Sequence, residues 1–177
     1  MLYPVVLRDL LLTLGALGAL DPRWTESILE EMTRNVLGDR PDIEPAQFEA
    51  GTVSAMRRAF PAASVEGYEH LVDAMDNHPK DRHVAAAAVH IGAAVVVSYN
   101  VRDFGGEWAP RHGVAVVTPP QLVGQLVGDA PSVVAIAVQT MATRKRRPPM
   151  TPMDVVAAIA RQQGFGVLED SLRALVD

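Results

Sequence analysis

The sequence predicts an α/β fold in which helices surround a small parallel sheet, and two observations support this prediction. Residues 93–99 (AAVVVSY) and 114–118 are short apolar segments, and each lies between stretches with helical periodicity. Apolar residues at consecutive positions are typical of parallel strands that are covered on both faces. Strands that alternate with helices along the chain are the pattern of α/β layered folds.

Helices are predicted before, between and after the two strands. The second of them carries Trp24, Ile28, Met32 and Val36 four residues apart, which forms one apolar stripe. An alanine run that ends before a glycine predicts the fourth. The predicted helices span residues 5–20, 24–37, 45–60, 78–91, 121–127, 131–144, 151–163 and 168–176, and residues 63–68 are a further candidate strand.

The composition is that of a folded chain with a sizeable core. Of the 177 residues, 49% are apolar and only 21% are charged, which excludes an intrinsically disordered chain. The net charge of −5 is opposite in sign to that of most nucleic-acid-binding proteins, so RNA binding would need a local basic patch or bridging metal ions. The absence of cysteine excludes disulfides and thiolate metal sites and fits a cytoplasmic location. No segment has the length and apolar character expected of a membrane span.

A basic run followed by two prolines, residues 144–149, is predicted to be a linker. It would separate a domain of residues 1–143 from a C-terminal helical extension of residues 144–177. The positive charge of residues 144–147 has two interpretations. They contact RNA phosphates, or they form a solvated helix end favoured by the helix dipole.

Two acids lie on the inward faces of predicted helices. Counting about 100° per residue along the second helix places Glu31 at the edge of the apolar stripe and Glu30 toward water. On the fourth helix, Asp81 lies on the same side as Val84. Each acid also has an ordinary interpretation, Glu31 as the half-buried partner of an arginine and Asp81 as a helix cap.

Asn100 and Asp103 directly follow the strand predicted at 93–99. Ligands of open α/β sheets bind beyond the carboxyl ends of the strands, so both residues are placed for a site, although Asn and Asp also occur in turns for conformational reasons. Glu31, Asp81 and Asp103 come from separate elements and could converge at one end of the sheet. Oxygen ligands of this kind suit Mg²⁺ or Mn²⁺ and the hydrolysis of a phosphodiester.

Several stretches resemble one family of PIN-domain ribonucleases. They are MLYPVVLRDLLLTLG, PRWTESILEEMTRNVL, HPKDRHVAAAAVHIGAAVVVSYNVRDF, TPPQLVGQLV and the tail TPMDVVAAIARQQGFGVLEDSL, and together they cover nearly the whole chain. The DRHVAAAA…SYNVRDF block is the most specific part. The resemblance implies a three-layer α/β/α PIN-like fold with C-terminal helices and metal-dependent endoribonuclease activity. Many members are VapC-like toxins of the VapBC toxin–antitoxin class, which a small antitoxin neutralises.

The resemblance also implies roles for individual residues. Glu31 would be the second acid of the family's metal site and Asp81 the third. Asn100 stands where many members carry a fourth acid, and Asp103 would supply a carboxylate nearby. The family's first acid follows a first strand that precedes the Leu-Tyr-Pro run. Because Met1 opens that run here, we expect this strand and acid to be missing from the sequence. Two explanations are open, a start placed at an internal methionine, which we favour, and a degenerate copy of the family.

The resulting hypothesis is an endoribonuclease that uses Mg²⁺ or Mn²⁺, with Glu31, Asp81 and Asp103 as metal ligands and Asn100 beside them in the catalytic set. Arg34 and Arg102 are candidates to contact RNA phosphates or to pair with the carboxylates. The helices at 5–20 and 24–37 are candidate surfaces for an antitoxin or for a second copy in a homodimer.

The competing hypothesis is a catalytically inactive PIN-like module that binds a protein partner or RNA without cleavage. The expected loss of the first acid and the negative net charge favour it. The three retained acids oppose it.

Overall fold

The computed structural model describes residues 4–177, so the start of the family-like run at residues 1–3 lies outside the described chain. In chain order the elements are α1 (Val5–Ala16), α2 (Glu26–Asp39), α3 (Pro45–Phe48), α4 (Ser54–Ala59), α5 (Arg82–His90), β1 (Val95–Val97), α6 (Trp108–His112), β2 (Ala115–Val117), α7 (Pro119–Asp129), α8 (Pro131–Arg144), α9 (Pro152–Ala160) and α10 (Glu169–Ala174). Short 3₁₀ turns span Glu69–Ala74, Pro79–Asp81, Val101–Phe104 and Gly166–Leu168.

The described chain divides into two compact units. The first unit is Arg23–Pro119, and the second combines the described residues up to Pro22 with Pro120–Asp177. The predicted domain boundary after residue 143 divides the chain at one point, whereas the second unit combines two separate stretches of the chain. That domain boundary stays a prediction.

The fold is α/β, mostly helical, with a small sheet of two parallel strands, as the sequence predicted at that level. β1 pairs with β2 in the register Val95–Ala115, Val96–Val116 and Val97–Val117. Both strands are shorter than the predicted segments 93–99 and 114–118. The three-layer α/β/α arrangement stays a prediction.

The predicted strand at 63–68 is wrong. Only Ser64 pairs there, in an isolated parallel bridge with Trp24. The chain leaves the extended conformation at Gly67, where φ is +77°, and then enters the 3₁₀ turn Glu69–Ala74. A single bridge is too short to form a ladder.

The helix predicted at 45–60 is present but is not a uniform α-helix. A wider π-helical turn, Glu49–Val53, joins α3 to α4 without a break. Phe48, Val53 and Met56 are buried along this combined helix.

The core of the first unit is built around α5. Four consecutive alanines, residues 85–88, are at most 6% exposed and pack in one apolar cluster with β1, α6 and the turns between them. Small side chains let neighbouring backbones approach α5 closely. This packing holds the turn before α5, which carries Asp81, and the turn after β1, which carries Asp103, in the same unit.

The second unit is a group of helices packed through large apolar side chains. α1 packs on α8, α8 on α9, and α9 on α10. The large apolar side chains of this unit that are at most 1% exposed are Leu7, Leu10, Leu14, Val123, Val134, Val138, Met141, Val155, Val156, Ile159, Phe165 and Leu172. Within the described chain no single helix is long and apolar enough to cross a membrane, and the bent pair α7–α8 passes such a test by length and composition alone.

The basic run at the end of α8 is partly engaged inside the second unit. Arg144 donates a hydrogen bond to Thr13 Oγ1 at 3.2 Å, and Lys145 forms an ion pair with Asp9 at 3.0 Å. Arg146 and Arg147 are exposed. The choice between an RNA contact and a solvated helix end stays open for these two.

Candidate functional site

The three predicted metal-binding acids occupy different elements of the first unit. Glu31 lies in α2 and is half-buried, whereas its neighbour Glu30 is exposed, as the helical count predicted. Asp81 ends the 3₁₀ turn that leads into α5, and its side chain is 19% exposed. Asp103 lies in the 3₁₀ turn that follows β1 and is half-buried.

The ordinary interpretations of the first two acids find no support in the contacts. Asp81 stands at the N-cap of α5, yet its side chain makes no capping hydrogen bond. Within residues 4–177, no Lys or Arg forms an ion pair with Glu31. In the described chain, Asp81 therefore does not cap α5 with its side chain, and Glu31 is not the ion-pair partner of an arginine.

Asp81 is the electrostatic centre of the cluster. Burial raises the pKa of its carboxyl above the usual value, and the negative charges of Asp103 and then Glu31 raise it further, against the opposing influence of Lys80 and His83. Asp103 and Glu31 thus act on the Asp81 carboxyl from two other elements. Such a cluster has a surplus of negative charge that a cation would neutralise.

The backbones of Asp81 and Asp103 are joined through one residue. The backbone N–H of His78 donates to the carbonyl of Asp103 at 2.9 Å, and the carbonyl of His78 accepts from the backbone N–H of Asp81 at 2.9 Å. The His78 ring lies close to the same site, with Nδ1 at 4.0 Å from Asp81 Oδ2. His78 therefore fixes the start of α5 against the turn after β1.

The turn that carries Asp103 is ordered by hydrogen bonds after the strand. The backbone N–H of Asn100 donates to Ser98 Oγ at 3.1 Å, and that of Asp103 donates to the carbonyl of Asn100 at 3.0 Å. Asn100 and Arg102 are exposed beside Asp103. Both lie at the carboxyl end of β1, where the sequence placed them.

Arg34 has a different environment. It lines an open groove of about 370 Å³ together with Glu26, Glu30, Glu49, Leu29 and Thr33. Two of the three carboxylates, those of Glu26 and Glu49, form ion pairs with Arg57 at 2.6 and 2.9 Å, and a groove lined with acids does not favour an RNA phosphate. The role proposed for Arg34 in RNA binding stays a prediction without support from its surroundings.

The donor set fits a hydrated divalent ion better than a closed metal cage. Among residues 4–177, no three His, Asp or Glu side chains already stand at metal-coordinating geometry. Mg²⁺ is usually held by one or two carboxylates and keeps several waters, so interacting but separated carboxylates suit it. The buried Asn77 adds an oxygen beside the site, because its Nδ2 reaches the carbonyl of Asp103 at 3.4 Å while its Oδ1 has no hydrogen-bond partner.

Sequence reasoning missed Asp76 and Asn77, whose side chains contact the segment 103–111. The available signal was the string Asp76-Asn77-His78-Pro79, which combines turn-forming side chains with a proline. Another signal was the pair Gly105-Gly106 across from it. Neither pattern indicates by itself which distant backbone it contacts.

Two comparisons with known proteins bear on this chain. Residues 121–165 match the VapC50 C-terminal domain. Over 96 residues the chain is 30% identical to the putative ribonuclease VapC50 of Mycobacterium tuberculosis (strain ATCC 25618 / H37Rv), which is 54% of this chain and 57% of that relative. The chain is thus similar, over part of its length, to VapC-like proteins.

The family match and the acid cluster concern different parts of the chain. The matched residues 121–165 lie within the second unit, whereas Glu31, Asp81 and Asp103 all lie in the first. The separate 96-residue alignment spans a little over half of the curated relative, 57% of its length. No solved structure matches the chain. The family-model match therefore says nothing of the acids.

Proposed function

We propose that this chain is a metal-dependent endoribonuclease that hydrolyses RNA phosphodiester bonds and acts in the cytoplasm as the toxin of a toxin–antitoxin pair. The observation that carries the proposal is the placement of Asp103 and Glu31 close enough to act on the partly buried Asp81 carboxyl, with no ion pair from Lys or Arg to any of the three in the described chain. The similarity to a putative ribonuclease supports the choice of reaction.

Mg²⁺ or Mn²⁺ would be held by Glu31, Asp81 and Asp103, with Asn100 at the same end of β1. When bound, the ion supplies a positive charge that lowers the pKa of water and stabilises the charge developing on a phosphodiester. The residues contribute oxygen donors and a half-buried position that limits screening by solvent. Arg102, exposed beside Asp103, supplies a cation for an RNA phosphate.

The test is RNA cleavage by the full-length gene product with Mg²⁺, with Mn²⁺, and with a chelator. We expect cleavage with either metal, and a loss of about 100-fold or more in Asp81→Asn, because one ligand oxygen loses its charge. Asp73→Asn is the matched control, since Asp73 is exposed in the 3₁₀ turn before the site and forms no ion pair with any residue of 4–177. Equal losses in both variants would contradict the assigned role of Asp81.

A second candidate function is a catalytically inactive module that binds RNA or a protein partner. The net charge of −5 favours the protein-binding form of this function, because an acidic chain repels RNA unless cations bridge the two. A folded full-length protein that neither binds Mn²⁺ nor cleaves RNA would select this function. Docking of an antitoxin, or of a second copy, on α1 and α2 is part of the proposal under either function.

A further inference from the structure

One acid outside the proposed metal site makes an unusual set of contacts. Asp76 Oδ2 accepts hydrogen bonds from the backbone N–H of Glu107 and from Arg111 Nη2, and Oδ1 accepts from the backbone N–H of Trp108, each at 3.0 Å. These N–H groups belong to the start of α6, where helix N–H groups lack partners inside the helix. A side chain more than thirty residues away in sequence thus caps α6.

The residues after Asp76 continue this contact toward the metal site. Asn77 is 3% exposed and its Nδ2 donates to the carbonyl of Asp103, which also accepts from the backbone N–H of His78. We call residues 76–78 the bridging segment. It contacts the start of α6 with its first residue and the carbonyl of Asp103 with the next two.

Residues 103–108 form a loop between the carbonyl of Asp103 and the start of α6, and this loop is also fixed in the apolar core. Phe104 is 6% exposed and Trp108 is 1% exposed, and Trp108 Nε1 donates to the carbonyl of Phe104 at 3.2 Å. The loop 103–108 is therefore held from inside by packing and from outside by the bridging segment. Asp103 is the first residue of this loop, so the position of the loop sets the position of its backbone.

Gly106 makes the close approach of Asp76 possible. Its φ is +108°, and a Cβ at this position would lie 2.6 Å from Asp76 Oδ1. Gly113 also has a positive φ, +67°, but a Cβ there would meet nothing within 4 Å. The two glycines share the conformational requirement and differ in contact with Asp76, so they form a matched pair for experiment.

We propose that Asp76 is a positioning residue that sets the separation of the Asp81 and Asp103 carboxylates. It acts by fastening the loop 103–108 to the bridging segment, whose last residue, His78, bonds to the backbones of both acids. This inference rests on the proposed metal site. Asp76 itself contacts neither acid and is not a metal ligand.

The test uses the full-length protein and two measurements on Asp76→Ala, with Asp73→Ala as the control. Amide hydrogen exchange without metal measures how well the hydrogen bonds between the bridging segment and the loop 103–108 are protected. We expect faster exchange at Trp108, Glu107 and His78 in Asp76→Ala only. Calorimetric titration with Mn²⁺ reads the consequence, and we expect an affinity about tenfold weaker, the lower end of the effect of residues that orient metal ligands. Far-UV circular dichroism checks that each variant is folded.

Gly106→Ala and Gly113→Ala repeat the test from the opposite side, and they replace Asp76→Ala if that variant does not fold. We expect weaker Mn²⁺ binding in Gly106→Ala and wild-type binding in Gly113→Ala. Unchanged Mn²⁺ affinity in folded Asp76→Ala or Gly106→Ala would overturn the positioning role alone. A wild-type protein that binds no Mn²⁺ would overturn the metal site and the positioning role together, and the exchange data would still report whether the loop is fastened.

Discussion

The two units of this chain are stabilised in different ways. The second unit consists of helices whose packing uses large apolar side chains at helical spacing, such as Leu7, Leu10 and Leu14 on α1. The first unit contains shorter helices, several 3₁₀ turns and a sheet of three-residue strands. Its loops are held by side chain–backbone hydrogen bonds between residues far apart in sequence, such as Asp76 to Trp108.

The difference shows where a candidate site is built. Apolar burial contributes most of the folding free energy but has no directional preference, whereas hydrogen bonds fix positions to fractions of an ångström. In this chain the interacting acids lie in the unit whose loops are fixed by directional bonds. If the two units are stabilised in these different ways, substitutions in the second unit should lower the free energy of unfolding, whereas removing a charge from the acids of the first unit should raise it slightly.

The largest effect is expected from removing an apolar contact in the second unit. Leu10 is 0% exposed, and Leu10→Ala should lower the free energy of unfolding by about 2–5 kcal/mol, from lost burial and the cavity that remains. Urea unfolding of the full-length protein measures it. Leu17→Ala is the control, because Leu17 is 39% exposed, and similar losses for both leucines would remove the basis for the comparison.

A smaller loss of unfolding free energy is expected from removing a hydrogen-bonded helix cap in the second unit. Thr151 and Asp154 form a reciprocal capping box at the start of α9, so Thr151→Ala should cost about 1 kcal/mol. Hydrogen bonds from Thr151 lower the pKa of Asp154. That contribution is therefore present above the unfolded pKa near 3.8 and is lost as pH falls through the lower folded value.

Urea unfolding at pH 7 and in the acid range checks both parts of this prediction. Thr143→Ala, exposed in α8, should change the stability by less than about 0.5 kcal/mol. A Thr151→Ala variant as stable as Thr143→Ala would show that the capping box adds nothing to the unit.

The smallest effect is expected to be a gain in stability in the first unit. Burial and neighbouring acids raise the pKa of Asp81, so its ionised form destabilises the metal-free fold. The favourable contribution exists below the unfolded pKa of about 3.8 and is lost as pH rises through the higher folded value. Asp81→Asn should therefore increase the stability at pH 7 by less than about 1 kcal/mol.

This gain should vanish when unfolding is measured near pH 3, where the wild-type carboxyl is protonated. Chelator is present throughout, and Asp73→Asn is the control for the loss of one negative charge. A variant less stable than wild type at pH 7 would mean that Asp81 is a structural residue, contrary to the proposed function.

Much of the fold followed from apolar periodicity. The helix 131–144 was predicted with the ends that the structure gives to α8, because Pro131 opens it and the apolar spacing continues to its end. The strand prediction at 63–68 was wrong because a short apolar segment does not indicate whether a partner strand lies beside it. The predicted first helix was too long, since Gly18 turns the chain at a φ of +79°.

The candidate site was predictable in part. Glu31 and Asp81 were selected by the helical face they share with apolar residues, and Asp103 by its place after a strand. Asp76 was not predictable, because its role depends on backbone N–H groups beyond Gly106 that approach it only in the folded chain. Periodicity reports the burial of a side chain, not the direction of its hydrogen bonds.

The π-helical turn between α3 and α4 has a consequence for the phase of that helix. Phe48 and Met56 are eight positions apart, so in a uniform α-helix they would point about 80° away from each other. The wide turn Glu49–Val53 takes up one extra residue, which reduces the angle to about 20°. The apolar residues of α3 and α4, which are out of phase in the sequence, thus lie on one buried face of a continuous helix.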